Sequence, residues 1–492
     1  MPDDRPRVAV VGGGISGLTA ARDLARGGAS VEVYEAGDAL GGRIAQAEFG
    51  GHRFDVGAEA FATRGGAVSA LADELGLGDR VAAPAQLGSW VIAGGVAAPL
   101  PPAGTLGIPV APLSAASRRV LGIRGALRAA IEPLLPARAG RGSRSLGALV
   151  RSRLGARVVE RLVRPVTLGV YASDPEELPV TAAQGLAEAF AARGSLLRAA
   201  RELRDRTTSA GGAVAAFEGG MAPLVAALET DLAAADVPVR TRTPICGVER
   251  IGGRWLLRGS SGEETGSADA LLLAVPESRA RAVLGLPQRP GSEHRVEVIA
   301  LLIDDSRLDG APRGTGVLVA PDGAEHGIRA KALTHVTAKW PDRAAALPEG
   351  RHLLRLSYGR AGSSPETDGL DDDAARALAL ADASRILGIE LASRDVRAFA
   401  RHQWEMSLPA SDPSPLDAMR DPSRTTGEPE PAIDVTGDWV AGTGLASVVP
   451  AARAAAGRLL EALRDPSRSG GHRPTAPHPH RGEAARPQES AA

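Results

Sequence analysis

The residues with the most chemical content lie within the first sixty positions. Gly12, Gly13, Gly14, Ile15, Ser16 and Gly17 give the spacing G-x-G-x-x-G directly after the apolar run Arg7-Val-Ala-Val-Val11. Glu35 closes a second strand-like run that begins at Ser30, and Ala36 follows it. Each residue type has a physical job in holding a dinucleotide. Gly12 permits a tight turn out of a strand. Gly14 lets backbone approach a pyrophosphate, and Gly17 lets a helix lie close to the sheet. The N-terminus of that helix offers unpaired N–H groups and a positive dipole end to phosphates. A carboxylate at 35 can accept hydrogen bonds from the two hydroxyls of an adenosine ribose, and it would repel a 2′-phosphate. Taken alone, the glycine spacing is equally compatible with a plain strand–helix turn; the carboxylate at the end of the next strand favours a nucleotide.

Two further groups narrow the ligand. Leu40-Gly41-Gly42-Arg43 is followed a dozen residues later by Asp55-Val-Gly57-Ala58-Glu59-Ala-Phe61. The planar fork of Arg43 suits a phosphate; its alternative is a solvated loop arginine. Near the other end of the chain, Gly437-Asp438-Trp-Val-Ala-Gly442-Thr-Gly444-Leu445-Ala-Ser447-Val448 reads as strand, glycine loop and helix start.

The order of these motifs resembles the FAD-binding signature of the amine oxidase and protoporphyrinogen oxidase superfamily. The resemblance implies FAD as cofactor, with Arg43 near its phosphates and Gly57, Ala58 and Glu59 beside the flavin. It also implies Val248, Ala274, Gly437 and Asp438 as cofactor residues. The helix opened by Gly444, Leu445, Ser447 and Val448 would then point its N-terminus at the flavin's pyrimidine end, which becomes anionic on reduction. Trp404 lies shortly before this last motif and is expected either to pack near the ring or to fill core.

These residues need a scaffold. The expected fold class is α/β: a discontinuous Rossmann-like FAD-binding domain of glutathione-reductase type, a mixed-sheet substrate domain and a helical insertion. The FAD-binding domain is expected over 1–80, 212–284 and 425–463, and the substrate domain over 81–108 and 285–424. Residues 109–211 form the helical part, and 464–492, rich in Pro, Ser, Gly and His, read as a disordered tail. Residues 88–96 read as a hairpin, and 296–303, 316–319, 330–340, 352–358 and 395–404 as strands. Residues 371–387 read as a helix. In 114–135, Arg118, Arg119, Arg124 and Arg128 alternate with Leu121, Ile123, Leu127 and Ile131. Such a segment either packs on its own core with its arginines in water or rests peripherally on a membrane surface.

Composition removes several classes. The 492 residues carry a net charge of −1, which argues against nucleic acid as a partner. Of 57 basic residues only Lys331 and Lys339 are lysine, a coding bias that makes arginine richness uninformative. The single cysteine, Cys246, excludes an internal disulfide and a cysteine metal cluster, and is expected as a small core residue. No metal site is expected, although His478 and His480 in the tail could touch a metal. Residues 1–6 are short and polar, unlike a signal peptide, and no apolar run reaches the roughly 18–20 residues that span a bilayer. A cytoplasmic protein is expected.

A closer likeness rests on four segments. Residues 56–64 carry G-x-E-x-F-x-x-R, and 169–178 carry G-x-Y-A-x-D-P-x-x-L. Ala274-Val-Pro276 is an A-x-P turn. Lys339-Trp-Pro341 and Arg355-Leu-Ser-Tyr-Gly-Arg360 complete the set. In these the chain is similar to bacterial protoporphyrinogen/coproporphyrinogen oxidases of haem synthesis. That likeness implies hydride transfer from a bridging carbon of a porphyrinogen to flavin N5, loss of N–H protons, and reoxidation by oxygen with release of hydrogen peroxide. Aromaticity drives the reaction, so the protein's work is orientation, electrostatics and water exclusion. Arg64 is the candidate for a substrate propionate, its alternative being a structural ion pair. Tyr171 is a candidate cavity residue or core, and Lys339 a surface or interdomain salt bridge. The C-terminal loop departs from the family's G-x-G-x-P-D-C, which leaves room for a diverged enzyme on another substrate. The rival classes are a flavin amine oxidase, against which stand the absence of lysine in 294–299 and the presence of only three tyrosines, and a desaturase of secondary metabolism. A flavin-bound carrier without turnover is the non-enzymatic alternative.

Overall fold

The computed structural model describes residues 5–103, 105–171, 173–183, 185–208, 214–289, 293–360, 363–407 and 432–464. Three distant stretches of chain build one parallel sheet. Its strands run in the order Val239–Arg240, Ser30–Tyr34, Arg7–Val11, Ala270–Leu273, Ala432–Val435. The central strand is buried from Val8 to Val11 and Ala270–Leu273 is buried throughout, as the continuous apolar runs require of strands covered on both faces. One face carries the helices Ile15–Arg26, Ala222–Ala234 and Leu445–Arg464, which share a core with Val8, Val10, Ala270 and Leu272. The other face carries an antiparallel sheet of Gly247–Ile251, Arg254–Arg258 and Glu264–Ala268. Its Trp255 donates to the Ala432 carbonyl at 3.1 Å, tying it to the last strand.

A seven-stranded mixed sheet follows the order Val396–Ser407, Glu293–Asp304, Arg351–Tyr358, Ala332–His335, Gly316–Val319, Trp90–Ala93, Val96–Pro99. Alternation decides its two faces. Ala300, Leu302 and Leu353 join the core of the parallel sheet. Ile299, Leu301, Leu354 and Leu356 pack under the helix Asp372–Leu387. That helix starts where its N-cap Asp371 accepts the Ala374 N–H at 2.8 Å and stops at Gly388 in the left-handed region. Against the Trp90–Ala93 and Val96–Pro99 edge of this sheet, helices from Ala115–Ala130 to Leu196–Thr208 form a core of their own. Among the described residues its one fully buried acid, Glu132, is paired with buried Arg153 and accepts from Ser195 Oγ and the Leu196 N–H.

Several expectations need correction. The strand expected over 330–340 spans only Ala332–His335. A helical turn, Val336–Lys339, then swings Trp340 into full burial. The strand expected at Gly437 lies earlier, at Ala432–Val435; Gly437 (φ 140°) breaks it and Asp438–Ala441 forms one helical turn. Cys246 is exposed rather than core. A hairpin of Gln46–Phe49 and His52–Asp55, turning on Gly50 and Gly51 in the left-handed region, was not anticipated. In Ala115–Ala130 the helical phase is reset at Gly122 (φ 68°, ψ 165°). Val120, Leu121, Ala126 and Ala129 face the core, while Ile123, Leu127, Ile131 and Leu134 stand 71, 53, 48 and 84 % exposed. The apolar face expected across that glycine therefore does not exist as one surface. The tail, with His478 and His480, lies outside the described residues.

Candidate cofactor and substrate site

At the nucleotide end, backbone geometry does nearly everything. Gly12 adopts φ 112°, and a Cβ there would lie 2.5 Å from the Ala274 carbonyl oxygen. A Cβ on Gly17 would lie 1.9 Å from the Gly12 oxygen, so helix and strand approach each other only because both residues are glycine. The Gly13 N–H donates to Glu35 Oε2 and the Gly37 N–H to Oε1, both at 2.7 Å. The carboxylate is thus aimed by backbone on both sides, with Ala36 exposed between its two donors. Gly41 donates to the Gly13 oxygen at 2.9 Å, and a Cβ on Gly42 would sit 3.1 Å from Gly14 Cα. The two glycine loops are therefore in contact. Val248 packs partly buried against the core that holds Val11 and Trp439.

The fit to a dinucleotide can be read from what this end leaves open. Gly14 caps Ile15–Arg26 with no side-chain hydrogen bond and with no acid in the first turn. A Cβ on Gly14 would meet nothing closer than 3.8 Å, and on Gly442 or Gly444 nothing within 4 Å. Thr443 Oγ1, between those two, is buried without a hydrogen-bond partner. Open backbone at two helix starts, one of them beside an aimed carboxylate, suits a pyrophosphate with an adenosine at one end.

The other end is held by side chains. Arg43, expected to have its fork free for phosphate, is ion-paired with Asp438 and donates to Met406 Sδ at 3.0 Å. A Cβ on Gly57 would be 1.9 Å from the Arg43 oxygen and 3.1 Å from Trp404 Cζ2. The Ala58 N–H donates to that same oxygen at 2.8 Å. Trp404 donates to the Val56 oxygen at 2.9 Å, so it packs on this loop, with its ring centroid 4.1 Å from that of His402.

Glu59 turns its carboxylate away from the loop and into a clamp. Lys339 Nζ lies at 3.0 Å, Arg355 at 3.2 Å and Trp340 Nε1 at 2.6 Å. Burial alone would raise this carboxyl, but the charges of Lys339 and Arg355 and the indole hydrogen bond outweigh it and pull it down to about 2. Arg355 also donates to the Gly57 oxygen, so the clamp reaches the loop directly. Beneath it, burial pushes Asp55 up to about 6 although the Met221 N–H and Gln46 donate to it. Arg64 donates to Ser447 Oγ at 3.1 Å, which places it at the start of Leu445–Arg464. Tyr171 ends the helix Arg164–Tyr171, and its side chain lies outside the described residues.

Ile15, Ser16, Leu445 and Val448 occupy the first turns of the two helices that face this groove. Sequence reasoning missed that the segments around Glu59, Lys339 and Arg355 meet at one carboxylate. It also passed over His294, whose ring is buried on the same side of the large sheet. Among the described residues no group of acids, histidines or cysteine could hold a metal ion.

Against known proteins, residues 15–460 match the family of flavin-containing amine oxidoreductases. A coproporphyrinogen III oxidase of Mycobacterium tuberculosis is 33 % identical over 473 residues, covering 92 % of this chain and 97 % of that protein. A coproporphyrinogen III oxidase of Bacillus subtilis is 25 % identical, covering 94 % of this chain and 100 % of that one. Among solved structures, an Exiguobacterium protein provisionally named protoporphyrinogen oxidase superposes with a TM-score of 0.75 at 24 % identity, over 93 % of this chain and 99 % of that one. Putrescine oxidase bound to putrescine gives 0.60 at 17 % identity, over 93 % and 99 %. The groove between two glycine loops and the extent of these matches agree: the chain belongs to the flavin-containing amine oxidoreductase family, and its cofactor is FAD.

Proposed function

We propose that this protein oxidises coproporphyrinogen III, or its relative protoporphyrinogen IX, to the porphyrin, with oxygen as final acceptor and hydrogen peroxide as product. The observation that carries the reading is the end-to-end likeness to the mycobacterial enzyme, 33 % identical across 92 % of this chain. FAD, when bound, takes up the hydride and hands the electrons on to oxygen.

The protein's own residues bind and orient. Gly14, Ile15, Ser16 and Gly17 would hold the pyrophosphate at the open helix start, which Gly12 and Gly13 position through their own hydrogen bonds to Tyr34 and Glu35, and Glu35 with Ala36 would hold the ribose. Val248, Ala274, Gly41, Gly42 and Arg43 would hold the cofactor between its two ends. Gly57, Ala58, Glu59 and Trp404 back the ring through the clamp described above. Gly437, Asp438, Gly444, Leu445, Ser447 and Val448 close the far side. Arg64 offers its guanidinium to a substrate propionate, and Tyr171 is taken as the second substrate residue. On this reading 1–80, 212–284 and 425–463 act as the FAD-binding domain, and 81–108 with 285–424 as the substrate domain. The helical part, 109–211, sits on the cytoplasmic face of a membrane. The exposed row Ile123, Leu127, Ile131 and Leu134, beside Arg119 and Arg124, supports that last assignment, since apolar side chains flanked by cations suit an anionic lipid surface. No helix of the described residues is long and apolar enough to cross a membrane.

The test is porphyrin fluorescence and peroxide release from purified protein, with the two porphyrinogens side by side in air. Growth of fluorescence with one of them names the substrate. A flavin-loaded protein that oxidises neither overturns the reading. Co-sedimentation with anionic vesicles, lost in Ile123→Asp with Leu127→Asp, checks the membrane face.

A further inference from the structure

His294 is buried, 7 % exposed, yet among the described residues neither ring nitrogen has a hydrogen-bond partner. Leaving both nitrogens of an imidazole dry and unpaired costs free energy, because water would have satisfied each. Such an exception calls for a ligand. The place of His294 says which one. It stands opposite Met406 in the antiparallel pair of Glu293–Asp304 and Val396–Ser407, so the two side chains share a face. Met406 accepts from Arg43, the partner of Asp438. Two residues along the same face, Trp404 lies opposite Val296 and donates to the loop that ends in Gly57. His294 is therefore beside the side-chain-held end of the groove.

The charged groups around it keep the ring a base. Burial opposes its protonation first, then the charges of Lys331 and Arg43, with Asp438 acting weakly the other way, and the imidazole drops to about 4. Lys331 is itself buried, its Nζ donating to the Gly359 oxygen at 2.6 Å, and burial lowers it to about 7. At neutral pH His294 thus presents one lone pair and one N–H.

Resting on the function proposed above, we propose that His294 accepts the pyrrole N–H of the porphyrinogen and takes its proton. In each two-electron step a C–H bond of a bridging carbon and an N–H bond of an adjoining pyrrole break, and a double bond forms between carbon and ring; over the three steps the fourth bridging carbon returns one proton to nitrogen by tautomerisation, so that four C–H and two N–H bonds are lost in all. The hydride goes to the flavin and the proton to the imidazole lone pair. Oxygen then receives both electrons and two protons, one of them from His294, and leaves as hydrogen peroxide. Loss of hydride makes the remaining N–H strongly acidic, so a weak, dry base suffices. An amine substrate does not present this set of ring N–H donors.

His294→Ala and the volume-conserving His294→Gln are compared with wild type, with flavin absorbance reporting folding and loading. Expected are wild-type FAD content in both, kcat lowered about 100-fold with KM little changed, and partial rescue of His294→Ala by added imidazoles. The rescued rate should rise with the basicity of the imidazole, a dependence that a packing role cannot produce. Coproporphyrin III, a product that needs no turnover, should bind His294→Ala about 10-fold more weakly by fluorescence quenching. Variants that turn over and bind like wild type overturn the role of His294. Wild-type protein inert toward both porphyrinogens overturns the function, and this inference with it.

Discussion

The two ends of the cofactor groove are made of different materials. At the nucleotide end, Gly12 and Gly17 approach backbone to backbone, and the Gly13 N–H donates to the Glu35 carboxylate 22 positions along the chain. At the ring end, Glu59 is held by Trp340 and Arg355, 281 and 296 residues away, and Arg43 by Asp438. The first end is fixed because at Gly12 and Gly17 no side chain larger than hydrogen fits. The second is rigid because buried charges have partners, and loses its geometry when any one is removed. One end is therefore a mould and the other a set of clamps, which should fail in different ways.

The largest effect should come from the mould. Gly17→Ala puts a Cβ 1.9 Å from the Gly12 oxygen, against backbone that cannot give, and should yield colourless protein. Flavin absorbance after purification checks this. Next comes the clamp. Glu59→Gln leaves Lys339 and Arg355 without their common counter-charge and should cost about 3 kcal/mol in denaturant unfolding. Its pH signature has a definite sign. The folded carboxyl sits at about 2, below its ordinary 4.5, so its contribution is complete above about 4.5 and fades as pH falls toward 2. The gap between wild type and Glu59→Gln should narrow over that window. Asp55, raised to about 6, behaves oppositely: its burial costs stability at neutral pH, and that cost is relieved as pH falls below 6.

Glu35→Ala should weaken FAD binding about 10- to 100-fold, roughly 1.4–2.8 kcal/mol, with little change in the stability of FAD-free protein. If it unfolds the protein as Glu59→Gln does, the distinction between mould and clamp is wrong. The smallest effect belongs to Trp404→Phe, which removes one hydrogen bond to Val56 and should cost about 1 kcal/mol. A blurred flavin spectrum with FAD retained is the expected outcome there.

The difference between the ends also decided what could be read in advance. Gly12 to Glu35 was legible because its constraint is local: a turn, a close approach and an aimed carboxylate leave their marks in adjacent positions. The strands of the large sheet were legible from alternation, and Asp371 and Gly388 marked the helix between them. Glu59, Lys339 and Arg355 each carried a motif, but nothing in their spacing says that they share one carboxylate. His294 carried no sign at all, since an unpaired ring nitrogen is a property of the packed molecule. Ile123 misled because periodicity assumes an unbroken helix and Gly122 resets the phase. Cys246 misled because small size alone does not bury a residue.

The interleaved sheet has a consequence for how the molecule is made. Ala270–Leu273 has Arg7–Val11 on one edge, but the strand that covers its other edge, Ala432–Val435, is synthesised more than 150 residues later. At about 5–20 residues per second, a ribosome leaves that edge unpaired for roughly ten to thirty seconds. During that interval Leu271 and Leu273 border open ladder groups, a template for a neighbouring nascent chain. Truncation anywhere before residue 432 should therefore give aggregates rather than a smaller folded unit, and the yield of intact protein should depend on what shields that edge until translation ends.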